Sequence, residues 1–173
     1  MAEAGIGGDF SAEEQELVAR MVGIAALKFA DLQNHRTSDY VFDLEKFSRF
    51  EGKTGPYLLY TAVRIKSILR KAVDAGLAVG PVGPISGAER DLLLELGRYE
   101  DVLTAAAAEG APNLLCEYLF TLSQEFNRFY QACHIMSEEN DALRASWLGI
   151  VRLALGIIEN TLGILGIRVP DRM

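Results

Sequence analysis

Residues 113–133 read "NLLCEYLFTLSQEFNRFYQAC", and Leu115, Leu119, Leu122, Phe126, Phe129 and Cys133 follow one another at intervals of 4, 3, 4, 3 and 4. That alternation keeps six side chains on one side of a helix with 3.6 residues per turn, whereas a strand would repeat every second residue. The stretch is therefore a helix with one apolar stripe. Toward the C-terminus, residues 141–165 carry two adjacent stripes: Leu143, Trp147, Ile150, Ala154, Ile157, and Leu148, Val151, Leu155, Ile158, Leu162. So wide an apolar face predicts the central element of a bundle. Arg152, Glu159 and Asn160 interrupt its most apolar run, so it reads as a buried helix and not a membrane span.

The remaining segments follow the same period. "SAEE" at residues 11–14 is a capping box that opens a helix running to about Leu32, with Leu17, Val18, Met21, Ile24 and Ala25 as its apolar positions. After a polar loop, Leu44, Phe47 and Phe50 predict a short amphipathic helix ending at Gly52. Gly55-Pro56 starts the next helix and Gly76 ends it. The Gly/Pro-rich stretch at residues 76–87 is the expected mobile loop. A second capping box at Ser86–Glu89 opens helix that reaches Glu109, with a break near Gly97. Residues 133–140 form a loop before the last helix. No segment alternates like a strand and no repeat appears, so the fold class is all-α.

Half of the 173 residues are hydrophobic and 24% are charged, as in a globular domain, and the net charge is −7. An acidic chain does not bind nucleic acid or anionic lipid indiscriminately. A local cationic site survives, because screening confines each charge to about 8–10 Å. Residues 52–73 are such a site: Lys53, Arg64, Lys66, Arg70 and Lys71 occur there with no Asp or Glu, so the remaining residues carry −12. On the helical period Leu58, Ala62, Ile65, Leu69 and Ala72 form the core side, and Tyr57, Tyr60, Arg64, Ser67 and Lys71 form another stripe. Tyrosine rings can stack on bases while Arg and Lys neutralise phosphates. The same spacing also fits a solvated face whose tyrosines cover hydrophobic neighbours.

Other chemistry is weakly represented. Cys116 and Cys133 lie on the apolar side of one helix, which favours core thiols over a nucleophile served by His134. No disulfide framework, zinc spacing, P-loop or dinucleotide fingerprint occurs, and no leader peptide is expected from "MAEAGIGGDFSAEEQ". These features suit a cytoplasmic protein.

"NDALRASWLGIVRLAL" at residues 140–155 contains Asp141-Ala142-Leu143-Arg144, which resembles the DALR signature of the anticodon-binding domain of arginyl-tRNA synthetases. Residues 27–72 resemble the segment leading into that domain, and "LCEYLFTLSQEFNRFY" and "LGILGIRVPDRM" fit as well. The resemblance covers most of the chain in order. It implies a helical bundle of the class I synthetase anticodon-binding type at residues 52–173, preceded at 1–51 by the tail of the catalytic half and its junction. The family's HIGH motif and KMSK-type loop are absent, so this fragment is expected to have no catalytic activity and no cofactor of its own. ATP and magnesium belong to the parent enzyme.

The resemblance also implies partners: the anticodon stem and loop of tRNA(Arg) and the catalytic domain of the same enzyme, with no membrane. It turns the cation–tyrosine stripe into an RNA face. Tyr57 and Tyr60 match the family's paired tyrosines, and Arg64, Lys66, Arg70 and Lys71 are assigned to phosphates. Tyr130 and His134 lie where the family closes a loop over the anticodon, although a second large aromatic is missing there. The tail at 167–173 is expected to lie near Tyr57 and Tyr130, with Met173 available to a base. Arg144, a cation in the first turn of a helix, is expected to pair with a nearby acid such as Glu139 or Asp141. An all-α module that uses the Tyr/Arg face for a protein partner, and a small complete enzyme, are the alternatives.

Overall fold

The computed structural model describes residues 10–83, 87 and 89–173, and every element among them is helical. In chain order these are α1 (Ala12–Leu32), α2 (Leu44–Phe47), α3 (Gly55–Asp74), α4 (Arg90–Gly97), α5 (Tyr99–Glu109), α6 (Pro112–Ala132), a 3-10 turn at Ile135–Ser137, and α7 (Asp141–Ile164). The capping box expected at Ser86 and the first nine residues lie outside the described residues. The break between α4 and α5 falls at Arg98.

Local chemistry sets the helix ends. Ser11 accepts from the Glu14 amide while the Glu14 carboxylate takes the Ser11 amide at 2.9 Å, the reciprocal capping box. Thr54 caps α3 through the Tyr57 amide, and Asn140 caps α7 through the amides of Ala142 and Leu143. Arg144, next to that cap, is neutralised as expected. It forms an ion pair with Asp141 and donates to the Glu138 carbonyl at 2.5 Å.

α7 lies against α3, α4 and α6, and α1 lies against α3 and α6. Ile150, Val151, Ala154, Ile158 and Leu162 of α7 are inaccessible to solvent, facing a core that includes Phe29, Leu58, Ile65, Leu119 and Phe126. α7 is long and apolar enough to cross a bilayer, and its apolar stripes are spent on this core. Gly55 fixes how closely α1 and α3 approach: a Cβ there would collide with the Ala25 carbonyl.

Three expectations change before the tail is reached. In α1 the buried face is Val18, Val22, Ala25, Ala26 and Phe29, whereas Leu17 and Ile24 are 54% and 39% exposed. Both stripes are helical, and the sequence has apolar residues on each, so periodicity alone did not rank them. α2 is a single turn that buries Phe47 and leaves Leu44 exposed. The described part of the Gly/Pro-rich stretch is pinned to α7, with the Gly80 amide donating to the Ala145 carbonyl and the Gly83 amide to the Ser146 hydroxyl.

After α7 the chain reverses at Gly166, whose φ of 70° is left-handed, and the Ile167 amide closes on the Leu162 carbonyl. The tail beyond it is ordered, with Ile167 and Pro170 buried and Met173 packed at the edge of the core. Its position differs from the expectation. Asp171 accepts from Lys66 at 3.0 Å and its carbonyl from Arg70 at 2.7 Å, while Arg172 reaches Glu14 at 2.7 Å and covers the Phe10 ring. Lys66 lies nine residues beyond Tyr57, about two and a half helical turns, and so points to the opposite side of α3. The tail, with Met173, therefore sits on that far flank beside the start of α1, away from Tyr57 and Tyr130.

Candidate nucleic-acid interface

The helical register divides the five cations near α3 into two groups. Lys53 forms an ion pair with Glu117 of α6. Lys66 bridges Glu159 at 2.9 Å and Asp171, with its side chain 15% exposed. Burial alone would lower the Lys66 ammonium, but its two carboxylate partners outweigh burial and leave it raised. The hydrogen bond from Lys66 holds the Asp171 carboxyl below the usual aspartate range. Arg70 is tied to the Asp171 carbonyl. Lys53 and Lys66 are thus paired with carboxylates, and Arg70 is held by a neutral carbonyl of the tail.

Arg64 and Lys71 remain. Among the described residues neither has a carboxylate partner. The Arg64 guanidinium lies 4.6 Å from the centre of the Tyr130 ring, a cation–π contact that orients it across the α3–α6 seam. The Tyr130 ring is itself stacked with Phe126, centroids 6.2 Å apart. Tyr60, 46% exposed, stands one turn before Arg64, and Lys71 lies exposed two turns beyond it. His134 is exposed at the start of the loop that follows α6.

Tyr57 differs from Tyr60. It is half-buried, its ring meets Phe120 edge-on at 5.9 Å, and its hydroxyl accepts from the Asn127 amide at 2.9 Å. Asn127 and Phe120 were not anticipated from sequence. Their signal was present: both flank the apolar stripe of α6, and Asn127 precedes Tyr130 by one turn.

The thiols are core groups. Burial pushes Cys116 up to about 12 and Cys133 up to about 11, so neither is ionised near neutrality. Among the described residues no three His, Cys, Asp or Glu side chains are grouped to hold a metal ion.

This arrangement, an aromatic and cationic stripe on a helix whose one acid is its last residue, Asp74, and braced by a second helix, occurs within a chain of recognisable relatives. The family described as the DALR anticodon binding domain matches residues 58–173, and the class I (R) tRNA synthetase catalytic domain matches residues 7–44. The arginine–tRNA ligase of Maricaulis maris is 52% identical over 173 residues, covering 100% of this chain and 29% of its own length. That of Alkaliphilus oremlandii is 43% identical over 162 residues, covering 92% and 28%. The arginyl-tRNA synthetase structure of Thermus thermophilus superimposes with a TM-score of 0.85 at 31% identity, over 95% of this chain and 28% of that one. The chain thus spans less than a third of the length of these relatives. With the family match running from Leu58 in α3 to Met173, the chain belongs to the DALR anticodon binding domain family.

Proposed function

We propose that this chain binds the anticodon stem and loop of tRNA(Arg) through the outward stripe of α3 and the adjoining edge of α6, as the anticodon-binding portion of a cytoplasmic arginyl-tRNA synthetase. The observation that carries this reading is a stripe without carboxylate partners among the described residues: Tyr60, Arg64 and Lys71 lie on one side of α3, although the chain is acidic. Tyr60 stacks on a loop nucleotide, and Arg64 and Lys71 meet phosphates. Tyr57, Tyr130 and His134 border this surface. Lys66, Arg70 and Met173 serve the tail instead of the RNA, since the first two already hold Asp171.

Residues 1–51 belong in this reading to the junction with a catalytic domain, which supplies the ATP- and magnesium-dependent ligation of arginine that this portion does not perform alone. Seven large apolar side chains are exposed within residues 17–44: Leu17, Ile24, Leu27, Tyr40, Val41, Phe42 and Leu44. An apolar concentration of this kind marks a surface that another domain covers.

The test is a titration of the chain with a synthetic anticodon stem–loop of tRNA(Arg) at several salt concentrations. Binding should be weak and should fall as salt rises, because phosphate contacts release counterions. Affinity that stays level across the salt series, as an apolar protein interface would give, overturns the reading.

A further inference from the structure

The two tyrosines of α3 have unlike settings, and the difference assigns a role to Asn127. Tyr60 is exposed and accepts or donates no hydrogen bond among the described residues, so its ring is free to adopt the angle a base requires. Tyr57 is held at both ends. Phe120 meets its ring edge-on, and Asn127, seventy residues away in sequence, donates its amide Nδ2 hydrogen to the phenol oxygen. A hydroxyl that accepts in this way keeps its own hydrogen for another partner. Among the described residues nothing takes that hydrogen.

The surroundings restrict where it can go. The ring edge faces Phe120, Asn127 occupies one lone pair of the oxygen, and the stripe with Tyr60 and Arg64 lies on the same side of α3. One turn beyond Asn127 on α6, Tyr130 holds the Arg64 guanidinium. The α3–α6 seam thus presents two donors, each set from the α6 side: the Tyr57 hydroxyl by Asn127, and the Arg64 guanidinium by Tyr130. Both suit an oxygen acceptor, and neither suits a cation or an apolar group.

We infer that Asn127 is a positioning residue for RNA recognition: it orients the Tyr57 hydroxyl as a fixed hydrogen-bond donor to an oxygen of the bound loop, leaving Tyr60 as the stacking ring. The inference rests on the RNA-binding reading above. Asn127 itself does not touch RNA and acts through Tyr57.

The experiment is a double-mutant cycle on the whole chain, with the anticodon stem–loop of tRNA(Arg) as probe and thermal unfolding as a parallel readout. Tyr57→Phe keeps the ring against Phe120 and removes only the hydroxyl. It should lower affinity about three- to tenfold, the range expected for one hydrogen bond, without altering the salt slope. Asn127→Ala should lower it by a similar factor in the wild-type background and by less than about twofold in the Tyr57→Phe background, because the two act through one hydroxyl. A structural role for Asn127 would move the unfolding temperature and give equal losses in both backgrounds, which overturns the inference. Wild-type affinity in Tyr57→Phe overturns it as well, even where Asn127→Ala fails to fold. If wild-type protein shows no salt-dependent binding, the RNA reading itself falls.

Discussion

The two flanks of α3 carry cations in similar number and use them in opposite ways. On one flank Lys66 and Arg70 are absorbed by Glu159 and by the tail at Asp171, so their charge stabilises the chain's own fold. On the other, Arg64 and Lys71 meet no carboxylate among the described residues, and Arg64 lies over the Tyr130 ring. The lesson is that a cationic helix is not a cationic surface. Which charges are available to a ligand depends on what the other helices bring to each side.

The largest effect should come from disturbing the tail flank at its base. Gly55→Ala would drive a Cβ into the Ala25 carbonyl and push α1 from α3, costing about 3 kcal/mol in urea unfolding. Stability equal to wild type would show that the helices separate freely there. Tyr60→Ala should weaken anticodon stem–loop binding by about 1–3 kcal/mol. Because the ring is mostly solvent-facing, unfolding should shift by less than about 0.5 kcal/mol. A loss of stability without loss of affinity would make Tyr60 a packing residue.

The two flanks can then be compared directly through salt. Arg64→Ala with Lys71→Ala should make the salt dependence shallower by about one unit per lost phosphate contact. Lys66→Ala with Arg70→Ala should leave the slope unchanged and loosen residues 167–173, read by amide exchange. Equal slopes in the two double variants would erase the distinction.

The smallest effect is a pH dependence of the tail. Asp171 and Glu14 both have folded-state values below the ordinary carboxylate range: Asp171 through the hydrogen bond from Lys66, Glu14 first through the Ser11 amide and then through Arg172. A depressed acid stabilises above its unfolded value, about 4. That contribution is lost as pH falls through the lower folded value. Lys66 is raised, so its share holds at all pH values below the ordinary lysine range and disappears only above it. The protection of the amides of residues 167–173, their exchange rate divided into the intrinsic rate at each pH, should therefore be flat from about pH 5 to 9 and fall below about pH 4. Tail release at neutral pH would show that these pairs do not hold it.

These contrasts also show what the sequence can carry. The α1 cap was readable to the residue because a capping box is a contact between neighbours, Ser11 and Glu14. The α6 stripe and the wide face of α7 were readable because periodicity reports burial whenever one face is apolar. Leu17 and Ile24 deceived the same rule, since a second apolar face lies open to solvent. The Arg144–Asp141 pair was legible at three residues' separation. The Lys66–Asp171 and Tyr57–Asn127 contacts span 105 and 70 residues, and no local pattern encodes which distant residue arrives. That the tail packs on the bundle was expected, but its side of α3 was not.

The two core thiols give the molecule a practical property. With burial pushing Cys116 up to about 12 and Cys133 up to about 11, almost no thiolate is present at neutral pH. Alkylating dyes react with thiolates, so both native cysteines should ignore them while the fold is intact. A single cysteine introduced at the exposed Lys71 or Leu27 would then take a fluorophore alone, without first stripping the native sulfurs from the core. The same silence makes the native pair a clock for unfolding: their labelling rate counts how often the interior opens.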